Sequence, residues 1–255
     1  MKKAAFLFIV LSILLISQES HSYEGGRLRD LKIGETFEFV IRWNGIPVGI
    51  VTTAIEGLSE IQGRKAYKVS ILARTNDWAS LIYKVEDRYL TYIDYETSTS
   101  LRYEAYRSEG RYRKKTAIDY IYGRFLAEYH YLKSGRKKTV EVAGNIHDPV
   151  SALYYFLRRD FSIDDEVVLN IDLNEKRHRL FVKIGKGRQI GLPALGRFNT
   201  IVIRPYLERK GKPYMRGNGL GYISKGADKL PVFAVVTVFP WGRFSATLLS
   251  CSASR

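Results

Sequence analysis

Glu35-Thr36-Phe37-Glu38-Phe39-Val40-Ile41-Arg42-Trp43-Asn44-Gly45-Ile46-Pro47-Val48-Gly49 opens on a period of two. Phe37, Phe39 and Ile41 fall on one face with Glu35 and Trp43. Thr36, Glu38, Val40 and Arg42 fall on the other, as in a strand with one buried side. Asn44-Gly45 interrupts the pattern. Both residues tolerate positive φ, which the two-residue turns matched to strand twist require. The stretch therefore predicts a strand, a tight turn and a return strand over Ile46 to Leu58, with Pro47 near its start.

The same signals continue outward. Strands are predicted at Lys65 to Arg74 after a Gln62-Gly63 turn, then at Tyr83 to Tyr95, Ser100 to Ser108, Tyr112 to Tyr122 and Phe125 to Lys133. Thr75 to Ile82 breaks the period and reads as a short helix or an irregular crossover. Strands resume at Val167 to Leu173, Arg179 to Gly185, Phe198 to Glu208, Gly217 to Ser224, Val232 to Phe239 and Arg243 to Ser250. Gly185-Lys186-Gly187-Arg188 reads as a hairpin turn. One helix interrupts the series. Asp148 is placed to cap it and Pro149 to open it, and Val150, Leu153, Tyr154 and Leu157 follow helical spacing. Arg158 and Arg159 stand where the helix dipole favours cations.

Strands with one polar and one apolar face specify an antiparallel sheet wet on one side. So long a sheet must curl to cover its apolar face. The expected fold is mainly β (α+β): one large, strongly curved antiparallel sheet or open barrel, with one main helix packed in or against its concave face. No linker or repeat divides it, so residues 23–255 are expected to form a single curved-sheet domain.

Residues 1–22 stand outside that fold. Met1-Lys2-Lys3 is basic, Ala4 to Ile16 is apolar apart from Ser12, and Ser17 to Ser22 is polar with small residues. This is the layout of a secretory signal peptide, with the cut placed after Ser22. The apolar run is shorter than the roughly 20 residues of a spanning helix. No Cys follows it to carry a lipid. The expected address is a bacterial periplasm, with peripheral contact with a membrane still open to the protein.

The 255 residues carry 41 Lys and Arg against 26 Asp and Glu, a formal net charge of +15. Lys2, Lys3 and Glu19 leave with the leader, which lowers the charge by one to +14. That exceeds what solubility needs and points to an anionic partner. In an envelope the candidates are lipopolysaccharide phosphates, anionic phospholipid headgroups and acidic glycans. Nucleic acid fits the charge but not the address. Charge alone leaves a merely solvated basic surface open. The lone Cys251 cannot form an intramolecular disulfide and fits a small strand residue.

No catalytic constellation is visible. His130, His147 and His178 have no metal-ligand spacing between them, and His147 reads as a loop residue beside a capping Asp. Asp164-Asp165-Glu166 alternates in direction and reads as a solvated turn. No nucleophile elbow or phosphate-binding loop is present. No metal or cofactor is expected. The basic segments carry more information. Arg102 to Lys138 holds eleven basic residues against four acidic ones, with tyrosines interleaved. Arg and Tyr together suit phosphates and sugar rings. They also fill a wet sheet face, because Tyr is a good strand former.

A family resemblance adds to this reading. The hairpin Trp43-Asn44-Gly45-Ile46-Pro47-Val48-Gly49, the helix opening Asp148-Pro149-Val150-Ser151-Ala152-Leu153-Tyr154-Tyr155, and the closing Pro231-Val232 and Trp241-Gly242-Arg243-Phe244 together resemble the secreted bacterial family called domain of unknown function 3108. The likeness spans most of the chain after the leader. Ser224 to Leu230 departs from the polar or acidic link usual in the family. The family has no established activity. The resemblance implies an architecture similar to periplasmic lipoprotein and lipid carriers, with a curved antiparallel sheet around a hydrophobic cavity.

The expected function is therefore to bind or carry an amphipathic anionic ligand, namely a lipid, lipopolysaccharide or a lipoprotein acyl chain, without catalysis. Phe39, Trp78, Leu153, Phe156 and Val235 are the candidate cavity residues. Arg111, Arg113 and Lys115 are the candidate anion-binding residues at its mouth. The alternative is a non-catalytic assembly or docking factor that binds another envelope protein or a glycan through its basic face.

Overall fold

The computed structural model describes residues 28–173, 175–214, 217–226 and 228–252. The expected leader, residues 1–22, lies outside the described residues. Strands β1 (Thr36–Trp43), β2 (Ile46–Ile61), β3 (Arg64–Thr75), β4 (Glu86–Asp94), β5 (Ser100–Glu109), β6 (Tyr112–Ile121), β7 (Leu126–Tyr131) and β8 (Arg136–Glu141) form an antiparallel meander. On its other side β1 pairs with the last strand, β16 (Gly242–Ser252). The order then runs through β15 (Pro231–Val238), β14 (Gly217–Ser224), β12 (Gly196–Arg209), β11 (Lys176–Leu192), β10 (Glu166–Leu173) and β9 (Ile146–His147). The short β13 (Lys212–Pro213) flanks β12. The result is one 16-stranded sheet, antiparallel except at β9 and β10. Among the described residues two α-helices accompany it, α1 (Asp77–Tyr83) and α2 (Pro149–Leu157). No helix among the described residues is long and apolar enough to cross a membrane.

The opening hairpin forms as its sequence specifies. Trp43 pairs with Ile46, and Asn44 (φ 47°) and Gly45 (φ 90°) make the turn. The break after β3 resolves into α1. His147 stands in the short strand β9 rather than in a loop, Tyr83 ends α1 rather than starting a strand, and two further features differ from the expectation. Gly185-Lys186-Gly187-Arg188 is not a hairpin turn, because β11 runs through it to Leu192. The register against β12 shifts between Lys186 and Gln189, which is a bulge. A β-carbon on Gly187 would sit 2.4 Å from the Thr200 carbonyl oxygen, so the glycine serves close approach within the sheet rather than a reversal. The second feature is β8, whose residues are exposed apart from half-buried Val140. It carries no apolar alternation, and it forms because β7 offers an unpaired edge.

The core draws on both halves of the ladder. Ile41, Ile55, Val69, Ile184, Ile203 and Val236 belong to one apolar cluster that also contains Val150, Tyr154 and Phe156 of α2. The half-buried Cys251 packs against its edge. The end strands β8 and β9 are not paired with each other, so the sheet does not close. Side chains nevertheless bring its two ends together. Val167, Leu169, Ile171 and Leu173 of β10 join the core. Asp172, on the opposite face of β10, accepts hydrogen bonds from the hydroxyls of Tyr120 (3.2 Å) and Tyr129. Strands β6 and β7 therefore lie over the outer face of β10. Ile118, Tyr120, Ala127, Tyr129 and Ile146 form a second, smaller core there. Glu175 takes ion pairs from Lys114 (3.4 Å) and Lys138 (3.2 Å), and Arg177 donates to the Glu141 carbonyl. The sheet overlaps itself instead of closing on itself.

Candidate functional site

A dense, buried polar group surrounds the start of α2. Asp148 Oδ1 accepts from the backbone N–H groups of Val150 (2.7 Å) and Ser151 (3.0 Å), which caps the helix. Its Oδ2 accepts from Thr91 Oγ1 and Ser100 Oγ, both at 2.5 Å, which fastens the cap to β4 and β5. Ser100 Oγ also lies 2.8 Å from Ser151 Oγ, and His147 Nδ1 lies 3.3 Å from that same hydroxyl. Burial raises the Asp148 carboxyl above the ordinary aspartate range, although four hydrogen bonds oppose the shift. Burial and the nearby Arg159 push His147 down to about 3, so the imidazole is neutral. Serine, histidine and aspartate are thus close together. The carboxylate, however, is spent on the helix cap and not on the imidazole, and Asp148, His147 and Ser151 are all buried. This is not the relay of a hydrolase, in which the acid orients the histidine. It locks α2 onto the sheet. At the other end of the helix, buried Arg158 donates to the carbonyls of Arg29 and Tyr95 and to Ser98 Oγ, each at 2.8 Å.

The residues expected to line a cavity separate into two groups. Phe156 is buried in the main core, and Phe39 and Leu153 are half-buried against the same cluster. Val235 lies out of phase with Val232 and Val236, on the other face of β15 and outside that cluster. Trp78 is exposed on α1, where its indole N–H donates to the Pro47 carbonyl at 3.0 Å. Arg111, Arg113 and Lys115 are all exposed at the β5–β6 turn and the start of β6. Arg113 donates to the carbonyls of Gly110 (2.7 Å) and Tyr112 (2.9 Å). Lys115 Nζ stands 5.8 Å above the Tyr106 ring. His130 lies beside Asp119 at 3.4 Å, and His178 packs on Tyr214. No grouping of three metal-type ligands occurs among the described residues.

One end of the sheet gathers features that local sequence reading did not connect. Trp43 leads into the β1–β2 turn, and its indole N–H donates to the Trp241 carbonyl at 2.6 Å, which joins that turn to the β15–β16 turn. Trp78 and Asn76 bind the Pro47 carbonyl, which adds α1 to the same end. Gly110 N–H donates to the Lys84 carbonyl, which adds the β5–β6 turn. The strand register places the β12–β13 turn there too, because Gly217 pairs with Val238 and β12 runs antiparallel to β14.

Large apolar side chains project from this end. Leu81 is 89% exposed, Phe239 82% and Ile82 77%. Trp43, Ile46 and Trp241 are exposed beside them. The chain has three tryptophans, Trp43, Trp78 and Trp241, and all of them are here. The turns carry Arg111, Arg113, Arg209, Lys210 and Lys212. Among the described residues none of these has a carboxylate partner. This end also holds the pairs Lys84–Glu86 (3.9 Å) and Arg107–Glu109 (2.5 Å), and the opposite end holds others. There Asp94 pairs with Arg64 (2.6 Å), Asp160 with Arg29 (2.5 Å) and Lys229 (3.1 Å), and Asp228 with Lys32 (2.6 Å). In the acidic turn Asp165 accepts from the Ser162 N–H, Glu166 pairs with Lys183 of β11, and Asp164 is exposed.

The model of the family described as protein of unknown function (DUF3108) matches residues 38–248. This chain belongs to the DUF3108 family. The matched segment contains the opening hairpin, the Asp148-Pro149 helix and the closing turn at Trp241. Among solved structures, the DUF3108 chain is similar to the crystal structure of a beta-barrel-like protein of domain of unknown function DUF1849 from Brucella abortus. The TM-score is 0.55 at 7% identity, covering 89% of this chain and 99% of that one. At that identity the likeness is one of fold. A protein with a YmcC-like fold from Bacteroides fragilis aligns with a TM-score of 0.35 at 9% identity, covering 89% of this chain and 100% of that one. No curated protein matches the sequence.

Proposed function

We propose that this DUF3108 protein is an exported, non-catalytic component of the bacterial envelope that binds an amphipathic anionic ligand: a lipid, lipopolysaccharide or a lipoprotein acyl chain. The observation that carries this reading is the concentration of exposed apolar side chains and unpaired basic turns at one end of the sheet. Apolar tips would take the acyl part. Arg111, Arg113 and the basic hairpin tip Arg209-Lys210-Gly211-Lys212 would take the anionic part through charge-assisted hydrogen bonds. In this reading α2 lies in the concave face of the curled sheet and fills much of it. The interior residues Phe39, Leu153 and Phe156 then act as the floor beneath the ligand rather than as a deep pocket. The leader-like residues 1–22 and the basic charge support the periplasmic address. The sealed Ser–His–Asp group supports binding without catalysis.

Native mass spectrometry of the protein purified from periplasmic extract, followed by solvent extraction, tests this reading. A bound anionic amphiphile is expected. It should be lost on combined Arg111→Gln and Arg113→Gln substitution. A protein that arrives bare, and stays bare when offered lipopolysaccharide and phospholipid monomers, would favour the alternative of a docking factor. That alternative draws on exposed Arg113 and Lys115 on an outer strand face, a surface suited to an acidic protein or glycan.

A further inference from the structure

We propose that the basic, aromatic end of the sheet docks onto the surface of an anionic phospholipid bilayer, with α1 and the β15–β16 turn as its apolar anchors. The inference rests on the reading above and goes beyond it, because a bilayer surface is a different partner from a bound monomer. Helix α1 is inverted for a helix of a water-soluble fold. Only Ala79 is buried, while Trp78, Leu81, Ile82 and Tyr83 face outward. A surface helix ordinarily turns such residues toward the core. Phe239 and Trp241 are exposed on a separate turn at the same end. Tryptophan and tyrosine concentrate at the headgroup level of membranes, where an apolar ring meets a wet boundary.

The indole donors fit that use. Trp43 and Trp78 already give their N–H groups to the carbonyls of Trp241 and Pro47, so neither ring carries an unsatisfied donor into the interface. The surrounding charge identifies the lipid. Arg111, Lys210 and Lys212 have no ion pair among the described residues, and basic groups near an anionic surface are drawn to it. The opposite end has exposed apolar side chains of its own, Phe125 and Ile33 among them, but no tryptophan. A few apolar side chains alone give marginal membrane affinity, and basic groups beside them supply the second signal that stable attachment needs.

Vesicle co-sedimentation of the whole protein tests this, with tryptophan emission as a second readout. Vesicles of phosphatidylcholine mixed with phosphatidylglycerol are compared with phosphatidylcholine alone, at low and high salt. Binding to the mixed vesicles, weakened by salt, is expected, with a blue shift because every tryptophan lies at the docking end. Leu81→Asp and Phe239→Asp should each cost about tenfold or more in affinity, since each withdraws one anchoring side chain. Both sites are exposed, so circular dichroism should not change. Leu249→Asp, at an exposed site toward the opposite end of β16, should leave binding intact. Equal binding to neutral and anionic vesicles overturns the proposal, as does wild-type affinity in the Leu81→Asp and Phe239→Asp proteins. A protein that holds monomeric lipid but ignores vesicles would overturn this inference while leaving the ligand-binding reading in place. Vesicle binding by a protein that holds no monomer would do the reverse.

Discussion

Asp172 shows how one carboxyl can tie two ends of a sheet and impose a cost. It is buried between β10 and the β6–β7 pair and receives two tyrosine hydroxyls, while its Oδ1 has no partner. Burial pushes its carboxyl up to about 6, against the hydrogen bonds from Tyr129 and Tyr120 that pull it down. The unfolded chain releases this proton near the ordinary aspartate value of 3.8. Between those two values the folded state binds more protons than the unfolded state, so stability falls as pH rises through the window and levels off above it. The cost at neutral pH is on the order of 3 kcal/mol. Asp172→Asn keeps an acceptor for one tyrosine and removes the charge. The variant should unfold at a higher temperature near neutral pH and show a shallower loss of stability from about pH 4 to about pH 6. Thermal melts across that range decide it, and a slope identical to wild type would assign the effect to other buried carboxyls.

At the scale of elements, one residue both starts α2 and fastens its first turn to the sheet. Asp148 caps two N–H groups and takes two hydroxyls from β4 and β5. Alanine there loses the cap, worth about 1 kcal/mol. It also takes the acceptor from Thr91 in a buried site, at roughly 1–3 kcal/mol, while Ser100 keeps its contact with Ser151. Asp148→Ala should therefore lower the urea midpoint severely, and Asp148→Asn, which keeps a capping oxygen, should lower it less. Equal losses in both would mean that the negative charge, not the cap, holds the helix. This helix was legible from Asp148-Pro149 and the spacing of Val150, Leu153, Tyr154 and Leu157 because capping and periodicity are local. The opening hairpin was legible for the same reason. The bulge at Gly187 was not, because a Gly-rich stretch looks alike whether it reverses the chain or admits a neighbouring carbonyl. Strand β8 was not, because Arg136-Lys137-Lys138-Thr139 has no apolar face and forms only beside an available edge. Nor were Asp172 and the overlap it supports, since a single Asp within Val167 to Leu173 gives no sign that another strand covers it.

For the whole molecule, the candidate site illustrates what linear reading misses. Arg111, Arg113 and Lys115 stand out locally as a basic run. Their neighbours at the docking end, including Trp43, Leu81, Phe239 and Lys210, are scattered through the sequence and meet only because an antiparallel ladder sends alternate turns to one end. The same ladder leaves the overlap of its ends to side chains alone. Glu175 is central to that overlap, pairing with Lys114 of β6 and Lys138 of β8. Partly exposed pairs of this kind contribute about 1 kcal/mol or less each. Their loss should thus loosen the overlap without unfolding the sheet, whose main core lies elsewhere. Local opening is set by the contacts of the segment that opens, not by global stability. Glu175→Gln should accordingly speed amide exchange in β7 and β8 while β1 to β3 keep their protection, with the global melting temperature lowered only slightly. Hydrogen-exchange mass spectrometry resolves these segments. Exchange that rises uniformly along the ladder would show that the ends are locked into one cooperative unit with the core, and that Glu175 stabilises the whole sheet rather than its overlap.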